Sequence, residues 1–276
     1  MAVLLVECPD RRGLVHDISG VLLRHGANVV GNHEFVDREA GRFFMRTEFD
    51  GAVDAVELVS ETRALMPAGA SVRLAGPGPK RIVVLVSREH HCLGDLLVRH
   101  QFGTLNARIE AVVGNHDVLR DLSRRFDVPF HHIPADGLSR EAHEASVREV
   151  VDAIAPDYLV LAKYMRVLSP GFVAAHPERI VNIHHSFLPA FVGAKPYLQA
   201  FQRGVKVIGA TAHFVTDELD AGPILVQEVL PVDHTRSPEE LARAGREVER
   251  SALSKALRLV FEDRVFLHGN RTVLFD

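Results

Sequence analysis

The sequence has only two cysteines, Cys8 and Cys92, and no tryptophan. Two cysteines cannot form the disulfide network that supports small secreted domains, and their simplest interpretation is as small buried apolar side chains. Long hydrophobic runs are also missing: those at 82–86 and 158–161 have the length of strands and are too short to cross a bilayer. Residues 1–6 lack the basic leader of an export signal. We therefore expect a cytoplasmic protein with no membrane partner.

An excess of basic charge is absent as well. The chain has 32 Lys and Arg against 36 Asp and Glu, for a formal net charge of -4, and the basic residues are scattered. This distribution argues against a nucleic-acid partner. The 276 residues, 47% of them hydrophobic, exceed the usual size of a single core. One large domain or two unequal ones are the structures that this length favours.

A break in the pattern lies at residues 75–80, which read Ala-Gly-Pro-Gly-Pro-Lys. Prolines lack amide donors and glycines are costly to order, so neither a helix nor a central strand continues through this segment. The sequence therefore predicts a first domain at 1–76 and a second at 80–276.

The first domain has the pattern β-α-β-β-α-β. In the segment 42–50, apolar residues at alternate positions predict a strand with one face open to solvent or to a partner. The whole pattern resembles an ACT domain, a ferredoxin-like amino-acid-sensing module. That resemblance implies that Asp10 and Gly13 lie in an effector-binding loop. Because such domains usually pair, it also implies a homo-oligomer.

The second domain alternates strands with helices. The β-branched run at 81–87 is typical of a strand covered on both faces, and further strands are predicted at 107–113, 130–133, 158–161 and 180–183. This is the pattern of a Rossmann-like α/β fold with a mostly parallel sheet. Its site is expected at the carboxyl ends of the strands.

Polar residues follow the last of these strands, where residues 182–189 read Asn-Ile-His-His-Ser-Phe-Leu-Pro. Further along, residues 220–223 read Asp-Ala-Gly-Pro. Together the two segments resemble the signature of the folate-dependent formyltransferase fold. The resemblance implies that Asn182, His184 and Asp220 are catalytic.

The segment 163–170 resembles the loop that holds the pterin ring of folate in the same fold. The resemblance implies substrate binding mainly through the backbone of this loop. The predicted substrate-binding residues are Met165, Arg166, Val167, Leu168, His213, Thr216 and Asp217. For His213, packing and lining the site are equally consistent with the sequence, whereas His185 is interpreted as structural because it points to the other strand face.

The three catalytic residue types suit the hydrolysis of a formamide. This reaction needs a donor for the developing oxyanion, an acid for the leaving nitrogen and a base for water. The Asn182 amide can donate, His184 can carry a proton near neutrality, and Asp220 can pair with that imidazole or activate the water. Such chemistry requires neither a metal nor another cofactor.

The loop 87–95 favours water as the acceptor of the formyl group. Glycinamide ribonucleotide formyltransferases hold a phosphate on a glycine-rich loop here, whereas this chain keeps only Gly94 and carries the acidic Glu89. The nucleic-acid-binding domain that methionyl-tRNA formyltransferases append is not expected after 265–275. With an ACT-like front domain and the run 182–191, the chain resembles the formyltetrahydrofolate deformylase family. The resemblance implies a folate substrate, formate for purine synthesis, and methionine and glycine as effectors.

Two other readings compete with this one. The segments 31–34 and 114–117, Gly-Asn-His-Glu and Gly-Asn-His-Asp, are similar to metal-ligand motifs of dinuclear phosphoesterases, but the other motifs of those enzymes do not follow strands here. The second alternative is a sensor that binds an amino acid or folate without turnover. Its difficulty is the complete set of Asn182, His184 and Asp220.

Overall fold

The computed structural model describes residues 1–188 and 196–276, which form two compact units. The first unit comprises Met1–Gly78, Asp263–His268 and Val273–Asp276, and the second comprises Pro79–Glu262 and Gly269–Thr272. The first unit thus combines three stretches of chain, which differs from the single continuous stretch that the sequence predicted. No helix within the described ranges is long and apolar enough to span a bilayer.

The N-terminal stretch of the first unit forms an antiparallel sheet with two helices packed on it. Its strands pair in the order β2-β3-β1-β4, as the ferredoxin-like pattern predicted. Asp54, the residue before the second helix, accepts hydrogen bonds from two backbone amides of the first turn and so fixes where that helix begins. The elements are β1 (Ala2–Pro9), α1 (Leu14–Arg24), β2 (Asn28–Asp37), β3 (Arg42–Asp50), α2 (Ala55–Leu65) and β4 (Ser71–Ala75).

Both faces of this sheet are covered near its centre. One face packs on the apolar stripes of α1 and α2. The other face packs on side chains of the C-terminal stretches of the same unit, where Phe44 lies in one apolar cluster with Phe266 and Phe275. The last strands of the chain are β12 (Val265–His268) and β13 (Arg271–Leu274). Arg46 is only 2% exposed and donates from Nε to the Asp263 carbonyl at 2.9 Å. The prediction of an open face is therefore wrong at Phe44 and Arg46. Residues more than two hundred positions later in the chain cover both side chains.

The second unit contains a seven-stranded sheet in the order β11-β10-β9-β8-β5-β6-β7. The strands from β9 to β7 are parallel, as predicted, while β10 runs antiparallel to β9 and β11 antiparallel to β10. The strands are β5 (Lys80–Val86), β6 (Ala107–Gly114), β7 (Phe130–His132), β8 (Tyr158–Leu161), β9 (Ile180–His184), β10 (Val207–Phe214) and β11 (Ile224–Pro231).

In the described part of the second unit the helices are α3 (His91–Gln101), α4 (Arg120–Arg124), α5 (Arg140–Ile154), α6 (Pro170–Ala175), α7 (Pro196–Arg203) and α8 (Pro238–Phe261). The longest, α8, begins with a capping box in which Ser237 and Glu240 satisfy each other's backbone amides. The central strand β5 is buried, and the chain passes to β6 on one side of it and to β8 on the other. This reversal places a crevice at the carboxyl ends of β5, β8 and β9.

Candidate active site

A cavity of about 270 Å³ lies beside the end of β9. Its wall is formed by the loop after β8, the last residues of β9, and the segment from the end of β10 to Asp220. All of the predicted catalytic and substrate-binding residues line this one cavity: Met165, Arg166, Val167, Leu168, Asn182, His184, His213, Thr216, Asp217 and Asp220. The last residues of the signature, 189–191, lie outside the described part of the chain.

The register between β9 and β10 determines which side chains meet in the cavity. Asn182 pairs with His213 and His184 pairs with Thr211, so these four residues share one face of the sheet. Thr211 is fully buried, donates to the Ser186 carbonyl at 2.9 Å and accepts from the Leu188 amide at 3.1 Å. The hydroxyl of Thr211 therefore fixes the turn that follows His184.

Asp220 lies beside two imidazole rings of the cavity. Its Oδ2 lies 3.3 Å from His184 Nδ1, and its Oδ1 lies 3.7 Å from His213 Nε2. The hydrogen bond with His184 lowers the pKa of the Asp220 carboxyl below its usual value, although burial acts in the opposite direction. Asp220 is therefore an ionised carboxylate at neutral pH, next to an imidazole that can carry a proton.

Gly222 allows the Asp220 loop to approach β10 closely. A Cβ atom at this position would lie 1.9 Å from the Phe214 carbonyl oxygen. The Phe214 amide also donates to the Pro223 carbonyl at 2.9 Å. The Asp-x-Gly-Pro pattern thus has a steric cause, because only glycine lets the loop return to the strand at this distance.

The hydrogen bonds of His213 define its tautomer. Nδ1 lies 2.8 Å from the Phe214 carbonyl, which can only accept, so Nδ1 carries the proton. Nε2 then has a lone pair for the Asn182 amide Nδ2 at 3.2 Å. Burial lowers the pKa of His213, which keeps the ring neutral. His213 therefore lines the cavity and orients Asn182, leaving the second N–H of the amide for another acceptor.

His184 and His185 stack, with ring centroids 5.0 Å apart and an interplanar angle of 21°. The Nε2 atom of His184 is buried and makes no hydrogen bond to the described residues. His185, which strand alternation predicted on the opposite face, follows the end of β9 and also lines the cavity. Burial lowers the pKa of His185 to about 4, and the nearby Lys163 adds to this effect.

A buried cluster of ionisable side chains was missed by the sequence analysis. Glu249 of α8 is 1% exposed; its carboxylate lies 3.2 Å from Lys163 Nζ and 2.7 Å from His91 Nε2, and it accepts from the Tyr197 hydroxyl at 2.6 Å. Burial opposes ionisation, but the His91 hydrogen bond and the Lys163 charge hold the pKa of Glu249 at about 2. A glutamate inside the apolar stripe of a capped helix was the signal available in the sequence.

The two Asn-His motifs do not form a metal centre in the described residues. Asn115 follows β6, and its side-chain oxygen already accepts from the Ser87 hydroxyl at 2.7 Å. Asn32 lies in β2, where its side chain contacts Thr47 and Glu34. Within the ranges 1–188 and 196–276, the one group of three metal-ligating residues is His91, Cys92 and Glu249, which includes neither motif.

The predicted effector residues lie in the first unit. Asp10 and Gly13 are exposed in the loop between β1 and α1. Gly13 has a φ of 88° and precedes the first turn of α1, so a residue with a side chain would be strained there. The Asp10 amide donates to the Gly41 carbonyl at 2.8 Å.

Two family models match the chain. The model described as an ACT domain matches residues 2–65, and the model described as a formyl transferase matches residues 80–257. Among curated proteins, the formyltetrahydrofolate deformylase of Escherichia coli K12 is 52% identical over 272 residues, covering 99% of this chain and 97% of that protein. That of Bacillus subtilis is 45% identical and covers 99% and 93%.

Solved structures give the same grouping. The formyltetrahydrofolate deformylase of Pseudomonas syringae superposes with a TM-score of 0.95 at 41% identity, covering all of this chain and 94% of that one. Glycinamide ribonucleotide transformylase 1 of Symbiobacterium toebii is 35% identical with a TM-score of 0.69, and covers 73% of this chain and 97% of its own. The deformylases match both units, whereas the transformylase leaves a quarter of this chain unmatched.

Proposed function

The chain belongs to the formyltetrahydrofolate deformylase family, and from this we propose that it hydrolyses 10-formyltetrahydrofolate to tetrahydrofolate and formate in the cavity beside β9. The observation that carries the proposal is that the pairs Asn182–His213 and Asp220–His184 lie side by side in one cavity wall. An oxyanion donor, a proton carrier and an ionised carboxylate are the groups that hydrolysis of a formamide requires.

The loop after β8 binds the heterocycle of the folate in this proposal. Met165 and Val167 are 62% and 47% exposed and line the cavity, so they offer apolar contacts to a flat ring. Tyr164 and Leu168 pack into the core below. A ring held on this loop places its formyl group toward Asn182 and His184 at the end of β9.

Asn182 supplies the donor for the oxyanion. His213 holds the amide through one N–H, and the second N–H is free to donate to the formyl oxygen as water attacks the carbonyl carbon. The negative charge of the tetrahedral intermediate is then stabilised by a donor that does not need to reorient. His213 acts through Asn182 and is a positioning residue.

His184 and Asp220 move the protons. The carboxylate of Asp220 accepts a proton from the attacking water or stabilises the imidazolium of His184. His184 passes its proton to the folate nitrogen as the C–N bond breaks, which releases tetrahydrofolate and formate. These steps use groups of the chain and water alone, so we propose that the reaction needs no cofactor and continues in the presence of a chelator.

The loop 87–95 supports water as the acceptor, because its residues do not form the glycine-rich phosphate anchor that would hold an amine substrate. Gly94, the one glycine of the loop 87–95, lies inside α3 and not in a backbone turn, and the acidic side chain of Glu89 is 47% exposed. Holding an amine against the formyl carbon can lower the activation barrier by roughly 7–11 kcal/mol. That gain requires the enzyme to bind the molecule that carries the amine.

The test is incubation of the purified protein with 10-formyltetrahydrofolate, with and without excess glycinamide ribonucleotide. We expect one formate for each tetrahydrofolate in both cases. Accumulation of formylated ribonucleotide would show a transferase, and binding without formate release would show a sensor.

Control of this activity by amino acids is also part of the proposal. The exposed loop with Asp10 and Gly13 is the site we propose for methionine as an activator and glycine as an inhibitor, in a homo-oligomer that supplies formate for purine synthesis. Asp10→Asn should abolish the response of formate release to both amino acids while leaving the unstimulated rate intact. A retained response would place the effector elsewhere.

A further inference from the structure

The loop from Lys163 to Ser169 is attached to the rest of the second unit at three points by buried side chains. This segment has no helix or strand, and its residues from Lys163 to Leu168 line the cavity. Residues outside regular structure have few backbone hydrogen bonds to hold their shape, so side chains must hold it. The three attachments come from α8, from the ends of β5 and β6, and from α5.

At its start, the loop is held by Lys163. This residue has a φ of 63°, which few residues other than glycine adopt, and its ammonium lies 3.2 Å from the buried Glu249 carboxylate. The Ala162 amide before it donates to the Leu85 carbonyl at 2.9 Å. The change of chain direction after β8 is therefore fixed by an ion pair.

In its middle, the loop is held by a chain of two hydrogen bonds. The Met165 amide donates to the Ser87 hydroxyl at 2.9 Å, and that hydroxyl donates to the Asn115 side-chain oxygen at 2.7 Å. Ser87 is 3% exposed and Asn115 is 9% exposed. Because Asn115 accepts the hydroxyl proton, the Ser87 lone pair is directed to Met165.

At its end, the loop is held by Glu144 of α5, which is 7% exposed. One carboxylate oxygen accepts from the Ser169 amide at 2.7 Å, and the other accepts from the Ser169 hydroxyl. The Ser169 oxygen also accepts from the Phe172 amide at 3.2 Å and so caps α6. This end of the loop is thus joined to two helices.

We propose that Ser87, Asn115 and Glu144 are positioning residues that hold the substrate-binding loop in its binding shape before the folate arrives. The inference rests on the proposed function, since it takes this loop as the one that contacts the heterocycle. If an attachment is lost, the loop populates other shapes, and the apparent dissociation constant rises by the inverse of the fraction that remains competent. The bound complex has the same loop shape, so the rate of the chemical step changes little.

The test is a pair of variants at different points of the loop, Ser87→Ala and Glu144→Leu, each in the full-length chain. We expect KM for 10-formyltetrahydrofolate and Kd for tetrahydrofolate to rise roughly 5- to 30-fold, with kcat within about threefold of the parent. Glu144→Gln keeps an oxygen for the Ser169 amide and can donate to its hydroxyl, so it should recover most of the affinity that Glu144→Leu loses.

Ser123→Ala is the matched control. Ser123 is, like Ser87, a buried serine, but its hydroxyl donates to the Val128 carbonyl at 2.9 Å, which lies outside the loop. It should lower stability without raising KM. The inference would be overturned if either loop variant folds and keeps the parental KM. It would also be overturned if KM and kcat change equally and Ser123→Ala shows the same change. If the parent releases no formate, the proposed function fails. The Kd for tetrahydrofolate in the variants still decides whether these residues hold the loop in its binding shape.

Discussion

Asp220 has a left-handed backbone conformation, with a φ of 55°, where its carboxylate meets two imidazoles. Asparagine tolerates this conformation as well as aspartate does, so Asp220→Asn removes the charge without adding backbone strain. We expect formate release to be abolished with the fold retained, as measured by single-turnover kinetics and circular dichroism. Asp233→Asn changes an exposed carboxylate outside the cavity and is the control. A parental rate in Asp220→Asn would contradict its role in proton transfer.

Asn182 provides a second prediction for a single residue. Asn182→Ala removes the oxyanion donor, and we expect kcat to fall by about two to three orders of magnitude, with a smaller change in folate affinity. The measurement is kcat and KM for 10-formyltetrahydrofolate. A loss confined to KM would instead indicate that Asn182 contributes only to binding the ground state.

His185 links the cavity to the stability of the protein at acid pH. Its folded pKa of about 4 lies below the usual value near 6.5, so the unfolded state takes up a proton at higher pH than the folded state does. The contribution of neutral His185 to the unfolding free energy is fully present above pH 6.5 and is lost as the pH falls toward 4. Relative to His185→Gln, the parent should lose up to about 3 kcal/mol of unfolding free energy between these pH values. Chemical denaturation at pH 7.5 and 4.5 measures this difference, and equal losses would contradict it.

At the scale of elements, the loop between β10 and β11 depends on a close approach. Gly222→Ala would place a methyl group 1.9 Å from the Phe214 carbonyl, so the Asp220 loop must move away from His184. We expect kcat to fall at least tenfold and the unfolding free energy to fall by about 1–3 kcal/mol. Gly94→Ala in α3 meets no atom within 4 Å and should leave both unchanged or slightly raise stability. Parental kinetics in Gly222→Ala would show that the loop has room to adjust.

Some contacts between elements could be predicted from the sequence, and others could not. Asn182 and His184 share a face because strand side chains alternate, which depends only on local geometry. The pairing of Asn182 with His213 depends on the antiparallel register of β10, and no local pattern specifies it. Glu249 and Glu144 approach their partners from helices that are distant in sequence, so their roles follow only from the tertiary structure.

For the molecule as a whole, the first unit depends on the C-terminal segment. Phe266 is 7% exposed and packs edge to face on Phe44, with the ring centroids 5.6 Å apart. Phe266→Ala should cost the first unit about 3–5 kcal/mol and reduce hydrogen-exchange protection in β1 and β3, while β5 and β9 keep theirs. Phe102→Ala removes a phenylalanine that is 76% exposed and is the control. Uniform loss of protection across both units would contradict this assignment.

The same segment sets the order in which the chain can complete its folding during synthesis. Residues 1–78 leave the ribosome before the second unit does, but Phe266 and Phe275, which cover Leu5 and Phe44, are translated only after residues 79–262 of the second unit. At roughly 5–20 residues per second, the outer face of the first sheet stays uncovered for roughly 10–40 s. An apolar sheet face open for that long is a surface for chaperones, and for neighbouring nascent chains on the same message.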